Sequence, residues 1–254
     1  MTAVVTSDSI RQRTPGSGGG LPQPTACDFV AIDFETANET RGSACAVGVT
    51  VMSGDHVLAS GSTLINPETY FNPYCTAVNG ISERDVAGAP TIRELWPALS
   101  ELLDGALVVA HNASFDMSVL QHSAARYEVT DGPSFEVLCT YRMARVVWPG
   151  LPSYSLGYVA PWRGITFHHH EAGDDSRACA LLAVAICDEL GVPGLHAAID
   201  SHRFLPSRIT PESYQSHHAL EQHGRRNAVE NVDADTHTTH CSASRSASLA
   251  RLTR

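Results

Sequence analysis

Val30-Ala31-Ile32-Asp33-Phe34-Glu35-Thr36 sets two acidic residues into the end of an apolar run, and the way that run folds decides how the rest of the chain is arranged. On a strand, side chains repeat every second residue, so Asp33 and Glu35 share one face roughly 7 Å apart. Side by side and partly buried, two carboxylates raise each other's pKa unless a positive charge sits between them. A hard divalent cation suits that position. The plainer alternative is a strand end facing water, and an isolated Asp-x-Glu does not separate the two.

Outward from this stretch the chain alternates in a readable way. Residues 46–52 form a second apolar run, Ser53-Gly54-Asp55 supplies a turn and residues 56–65 read as a third strand, together an antiparallel meander. Residues 91–103 carry apolar side chains at helical spacing, with Thr91 and Glu94 placed as a capping box and Asp104-Gly105 as a stop. Pro97 falls inside that helix and is expected to kink it. Residues 106–110 are continuously apolar, as in a strand covered on both faces. A helix over 114–127, a short strand over 137–139 and helices over 140–148 and 155–162 follow. The longest helix, 174–190, is closed by Gly191-Val192-Pro193. Strands first, then strands alternating with helices, predict an α/β domain with a mixed sheet over residues 27–194.

The ends have a different composition. Residues 1–26 include Gly16-Ser17-Gly18-Gly19-Gly20 flanked by prolines and read as a flexible leader. Residues 195–254 are rich in His, Ser, Thr and Arg and are expected to be a mostly disordered tail, with a frayed helix near 211–223 and a capacity to bind a partner. Lys+Arg 17 against Asp+Glu 27 gives a net charge of −10, which disfavours a sequence-indifferent nucleic-acid coat protein. It leaves room for a nucleic-acid enzyme working through bound cations. Seven scattered cysteines without a C-x-x-C pair read as reduced thiols, and no apolar run reaches membrane-span length. A cytoplasmic protein, with no membrane contact, is the expectation.

Three further ionisable residues sit where this architecture places helix starts. Asn112-Ala113-Ser114-Phe115-Asp116 follows the buried strand, so Asp116 falls in the first turn of the next helix. His170 precedes the last long helix and Asp175 opens it. Either aspartate alone could be a charge favoured by the helix dipole. Together, Asp33-Phe34-Glu35-Thr36, Asn112-Ala113-Ser114-Phe115-Asp116 and His170-Glu171-Ala172-Gly173-Asp174-Asp175 resemble, in order and spacing, the three motifs of the DEDDh exonuclease superfamily. That superfamily includes the proofreading epsilon subunit of bacterial DNA polymerase III, ribonuclease T and oligoribonuclease. The likeness covers about 28–190 and takes in Val78-Asn79-Gly80-Ile81-Ser82 and Leu151-Pro152-Ser153-Tyr154-Ser155-Leu156. It departs at Asn79, where family members often have His.

The resemblance implies a ribonuclease H-like mixed sheet, antiparallel strands first and parallel strands after, flanked by helices. It also implies 3′ to 5′ hydrolysis of single-stranded DNA or RNA ends, DNA the more expected, releasing nucleoside 5′-monophosphates. Two Mg²⁺ or Mn²⁺ ions would be held by Asp33, Glu35, Asp116 and Asp175, with Asp33 bridging and His170 as general base. Phe115, Thr36 and Asn112 would touch the terminal nucleotide; Phe34 would join them unless it serves only in the core. Arg142 and Arg145 share a helix face and could steer phosphates, although surface arginines more often serve only solvation. Alternatives are a zinc site in His168-His169-His170, an RNA 3′-end trimmer, or a noncatalytic module. The tail could hold a DNA polymerase, as in the epsilon subunit.

Overall fold

The computed structural model describes residues 27–201 and 203–214. The acidic stretch is a strand, β1 (Phe29–Thr36), and its alternation divides the domain into two packed faces. Val30, Ile32 and Phe34 enter one core with Ile92, Trp96 and Leu99 of α2 (Ile92–Leu103) and Val119 and Leu120 of α3 (Ala113–Arg126). Phe29 and Ala31 enter the other, with Met143 of α4 (Thr140–Val147), Val159 of α5 (Leu156–Trp162), and Leu182 and Ile186 of α6 (Ala172–Leu190). By the same two-residue period, Asp33 and Glu35 belong to the α6 face.

The strands form one six-stranded sheet in the order β3-β2-β1-β4-β5-β6. β1 pairs antiparallel with β2 (Ala44–Ser53), and β2 with β3 (His56–Leu64), the meander read from the sequence. β1, β4 (Leu107–Ala110) and β5 (Phe135–Cys139) run parallel, so the ribonuclease H-like mixed sheet is present. The helix ends follow their local chemistry. The Thr91–Glu94 capping box forms, and Gly191 closes α6 at φ 66°, where a Cβ would be strained. Pro97 lies within α2, which runs unbroken from Ile92 to Leu103.

Two differences from the expected organisation bear on function. α1 (Pro73–Asn79) occupies a stretch expected as loop. Its Asn72 side chain accepts from the Tyr74 N–H and Gly80 stops it at φ 75°, but it buries no residue and so shows no apolar period. The packed unit also continues beyond residue 194. α7 (Leu195–Asp200) is followed by β6 (Ser207–Ile209), which pairs antiparallel with β5. Tyr214 is fully buried, edge-on to Trp96 at 5.5 Å, and packs where a Cβ on Gly132 would lie 2.5 Å from its ring. A three-residue strand has no alternation of its own, and only its pairing with β5 shows it.

The leader expected over 1–26 and residues 215–254 of the tail lie outside the described residues, as does most of the helix expected near 211–223. Among the described residues Cys27, Cys45, Cys139, Cys179 and Cys187 are free thiols, and no helix is long and apolar enough to cross a membrane.

Candidate active site

Three elements meet at the carboxyl end of β1. Asp33 and Glu35 come from the strand and Asp175 from the first turn of α6, and each presents an oxygen within 4.8 Å of the others. The helix approaches this closely because Gly48 lies opposite Asp33 on β2. A Cβ at Gly48 would sit 1.8 Å from the Ala172 carbonyl oxygen, so any other residue would push α6 off the sheet. Glu171 caps the helix by accepting from the Gly173 and Asp174 N–H groups, and accepts from the Ser62 hydroxyl of β3 at 2.9 Å. Asp116 arrives from the other side, in the first turn of α3. It is 1 % exposed, and its carboxylate accepts the Phe34 N–H at 3.0 Å. It lies outside the three-carboxylate cluster found among the described residues.

Burial and like charge act together on these acids. Burial pushes the Asp33 carboxyl well above the usual carboxylate range, and Asp116, Asp175, Glu35 and Glu171 push it further. Burial raises Glu35 to about 7 against the opposing hydrogen bond from Asn79. Burial raises Asp116 to about 8 despite the Phe34 N–H. Burial also raises Asp175, opposed mainly by His169. Such a set of acids is ionised at neutral pH only with positive charge among them. The all-oxygen donor set suits Mg²⁺ or Mn²⁺.

The histidine tract divides its partners. His168 Nδ1 lies 2.9 Å from Asp174 Oδ2, and His169 Nδ1 lies 3.0 Å from Asp175 Oδ1. His170 is exposed, takes a left-handed φ of 71°, and donates its N–H to Asp175 at 2.8 Å. Its ring stacks on His169 at 3.9 Å, and burial with the neighbouring His169 lowers its pKa. A neutral imidazole at the site's edge can take up a proton. His169, His170 and Asp175 are close enough to share an ion; His168 is not in that group.

Of the other expected contacts, Phe34 is 2 % exposed and belongs to the core, so its contribution to the site is its N–H. Phe115 is half-buried under the Arg41 guanidinium, 4.1 Å from the ring centroid. Asn112 is exposed in a left-handed conformation just ahead of α3, and the half-buried Thr36 ends β1. Asn79, the position where the chain departs from the family pattern, reaches the carboxylates. Its amide donates to Glu35 Oε2 at 3.3 Å and to the Thr36 carbonyl at 3.2 Å, tying α1 to the carboxylates. Its position before Gly80-Ile81 was legible, but its partner was not. His111 is held between Thr140 and the Tyr154 carbonyl, and burial lowers its pKa to about 4, so it is a neutral brace between β4 and α4. A groove of about 440 Å³ opens beside the carboxylates, with Ala77, Val78 and Asn79 of α1 on one side and His169 and His170 on the other.

Two buried and two half-buried carboxylates and a histidine converge on the edge of a mixed sheet, and the exonuclease family model matches residues 30–183, which contain all five. The chain belongs to this exonuclease family. Among its relatives is the DNA polymerase III subunit epsilon of Treponema pallidum (strain Nichols), 33% identical over 158 residues, covering 59% of this chain and 72% of that protein. A Mycobacterium tuberculosis (strain CDC 1551 / Oshkosh) protein with a provisional bifunctional exonuclease/endonuclease name is 32% identical over 205 residues, 76% of this chain. The chain spans only 31% of that relative's length. Among solved structures, exonuclease X in complex with 5′ overhanging duplex DNA aligns at 28% identity with a TM-score of 0.55, covering 64% of this chain and 93% of that one.

Proposed function

We propose that the chain is a metal-dependent 3′ to 5′ exonuclease that removes nucleoside 5′-monophosphates from single-stranded ends, with DNA as its preferred substrate. The observation that carries this reading is the convergence of Asp33, Glu35 and Asp175 within 4.8 Å, with Asp116 buried beside them. Two divalent cations, when bound, supply the charge that stabilises the attacking and leaving oxygens together. Asp33, Glu35, Asp175 and Asp116 would hold the ions, with Asp33 shared between them, Glu35 and Asp175 beside it and Asp116 in support. His170 takes the proton from the attacking water, and the donated N–H fixes its backbone against Asp175. The groove beside α1 receives the terminal nucleoside, and Thr36, Asn112 and Phe115 are the further residues assigned to contact with the terminal nucleotide. The preference for DNA rests on relatives named as DNA polymerase III components and on the DNA-bound exonuclease X. A polymerase contact through the tail concerns residues beyond 214, and pull-down with and without residues 215–254 tests it.

Release of mononucleotides from labelled single-stranded DNA and RNA of equal sequence, with and without Mg²⁺, tests the reading. His170→Ala is expected to lower kcat by about 10²- to 10⁴-fold, the range for losing a general base. His169→Ala is expected to cost less. Asp33→Asn should remove both turnover and the rise in melting temperature on adding Mg²⁺. No release from either polymer by the unaltered chain would overturn the proposal.

A further inference from the structure

The face of the site opposite α1 has an unusual charge. All seventeen cationic residues of the chain are arginines, and residues 137–170 contain no Asp or Glu, the longest acid-free run in a protein of net charge −10. At the chain's average density that run would hold about four acids. Instead it carries Arg142, Arg145 and Arg163 among six aromatic residues. Arg163 pairs with Glu189 at 3.4 Å and lies over Trp148. Arg142 and Arg145 are both exposed and form no ion pair with a described residue. An unpaired cation pair in an acidic protein is a place where an external anion is attracted without first displacing an internal one.

The placement joins this surface to the nuclease centre. Tyr141 is the second residue of α4, two residues beyond the end of β5. Its ring is edge-on to His111 at 5.8 Å, next to Asn112, and to Tyr154 at 6.2 Å. The Arg145 guanidinium lies 6.0 Å from the Tyr141 ring, one helical turn on. From Tyr154 the chain enters α5, where Gly157 abuts His169 so closely that a Cβ there would lie 2.9 Å from the imidazole. An aromatic step flanked by arginines thus runs from the rim of the carboxylate cluster outward along α4. Stacking on tyrosine is indifferent to base identity, and guanidinium groups bind phosphates.

We infer that the α4 face bearing Tyr141, Arg142 and Arg145 is the docking surface for the single strand immediately 5′ of the scissile phosphodiester. The inference rests on the exonuclease reading and extends it to nucleotides beyond the terminal one. The strand is favoured over an acidic protein segment because the surface is continuous with the site where a 3′ end must lie, and because it interleaves aromatic rings with charge.

The test uses the full chain and the double variant Arg142→Gln/Arg145→Gln. Binding of a fluorescent single-stranded DNA about a dozen nucleotides long is measured by anisotropy across a salt series, together with kcat/KM for that oligonucleotide and for a dinucleotide. Removing two phosphate contacts should weaken binding about tenfold and reduce the slope of log K against log salt by roughly 1.4. The ratio of kcat/KM for long over dinucleotide substrate should fall by a similar factor through KM. The dinucleotide reports separately on the nuclease centre. If the unaltered chain turns over neither substrate, the exonuclease reading fails, and the anisotropy still judges the surface. Equal affinity and equal salt slope for variant and unaltered chain overturn the inference, even where both remain active.

Discussion

The two sides of the nuclease centre are built from different materials. On one side, α1 carries no charged residue, buries nothing, and walls a groove with Ala77, Val78 and the Asn79 amide. On the other, α4 and α5 present arginines and aromatic rings from a stretch without a single acid. The floor between them is the reverse of both, four carboxylates whose burial raises them all. A groove walled by uncharged residues on the α1 side can hold the sugar and base of the terminal nucleotide, while its phosphate lies over the carboxylates and the cations they would bind. A cationic face can hold the polyanion that remains. The contrast supports the proposed placement of the leaving unit at α1 and of the retained strand at α4.

The largest effect is expected where the two sides are joined. Gly48 of β2 touches the start of α6, and through it sets the distance between the β2–α1 side and the histidine side. Gly48→Ala would place a Cβ 1.8 Å from the Ala172 carbonyl, and backbone cannot step aside as a side-chain tip can. The helix must lift, carrying Asp175 away from Asp33. We expect a loss of about 1–3 kcal/mol in urea unfolding and at least about a hundredfold in kcat, since misplacement by an ångström is enough. An active, equally stable Gly48→Ala protein would show that the close approach is not what assembles the site.

The floor is expected to show itself in a pH series. Glu35 is raised to about 7 and Asp116 to about 8 in the folded chain, both above the unfolded carboxylate range. Between the unfolded and folded values the native state holds the extra protons, so stability falls as pH rises through this interval. The metal-free protein should therefore melt at a higher temperature at pH 5 than at pH 8. Mg²⁺ should restore more at pH 8, where the carboxylates are ionised and able to bind it. A metal-free melting temperature that rises from pH 5 to pH 8 would count against a floor of uncompensated buried acids.

How much of this was legible follows from what each residue depends on. Asp33 and Glu35 were placed by a two-residue period, Asp116 by the start of a helix that follows a strand and Asp175 by the start of the last long helix, all local signals. The same reasoning predicted the meander, the parallel strands and the capping box. It did not reach β6 or Tyr214, whose order depends on β5, Trp96 and Gly132 far away in sequence. Nor could it reach α1, where Asn72-Pro73 and Gly80 were valid start and stop signals but seven residues with none buried gave no periodicity. Gly48 lies within the second apolar run, and its close approach depends on Ala172 of α6, far away in sequence. His169, a neighbour of the motif histidine, acquired its contact with Asp175 only in three dimensions.

The smallest expected effect sharpens the contrast most, because it should alter one side alone. The Asn79 amide serves Glu35, the Thr36 carbonyl and, at 3.8 Å, the Cys45 sulfur, while its own oxygen accepts from the Ile81 N–H. It is thus the uncharged side's direct hold on a candidate metal ligand, and its hydrogen bond opposes the effect of burial on Glu35. In Asn79→Ala the Glu35 carboxyl should move further above about 7, and its orientation should loosen. Loss of such a supporting contact costs metal affinity on the order of tenfold, with a stability change of about 1 kcal/mol. The Mg²⁺ concentration for half-maximal activity should rise and the acid limb of the pH–rate profile should shift upward, with partial recovery in Asn79→His, which restores a donor. The salt dependence of long-strand binding should stay that of the unaltered chain. If Asn79→Ala instead flattened that salt dependence as Arg142→Gln/Arg145→Gln is expected to, the two sides would be sharing the strand, and the division of labour between α1 and α4 would not hold.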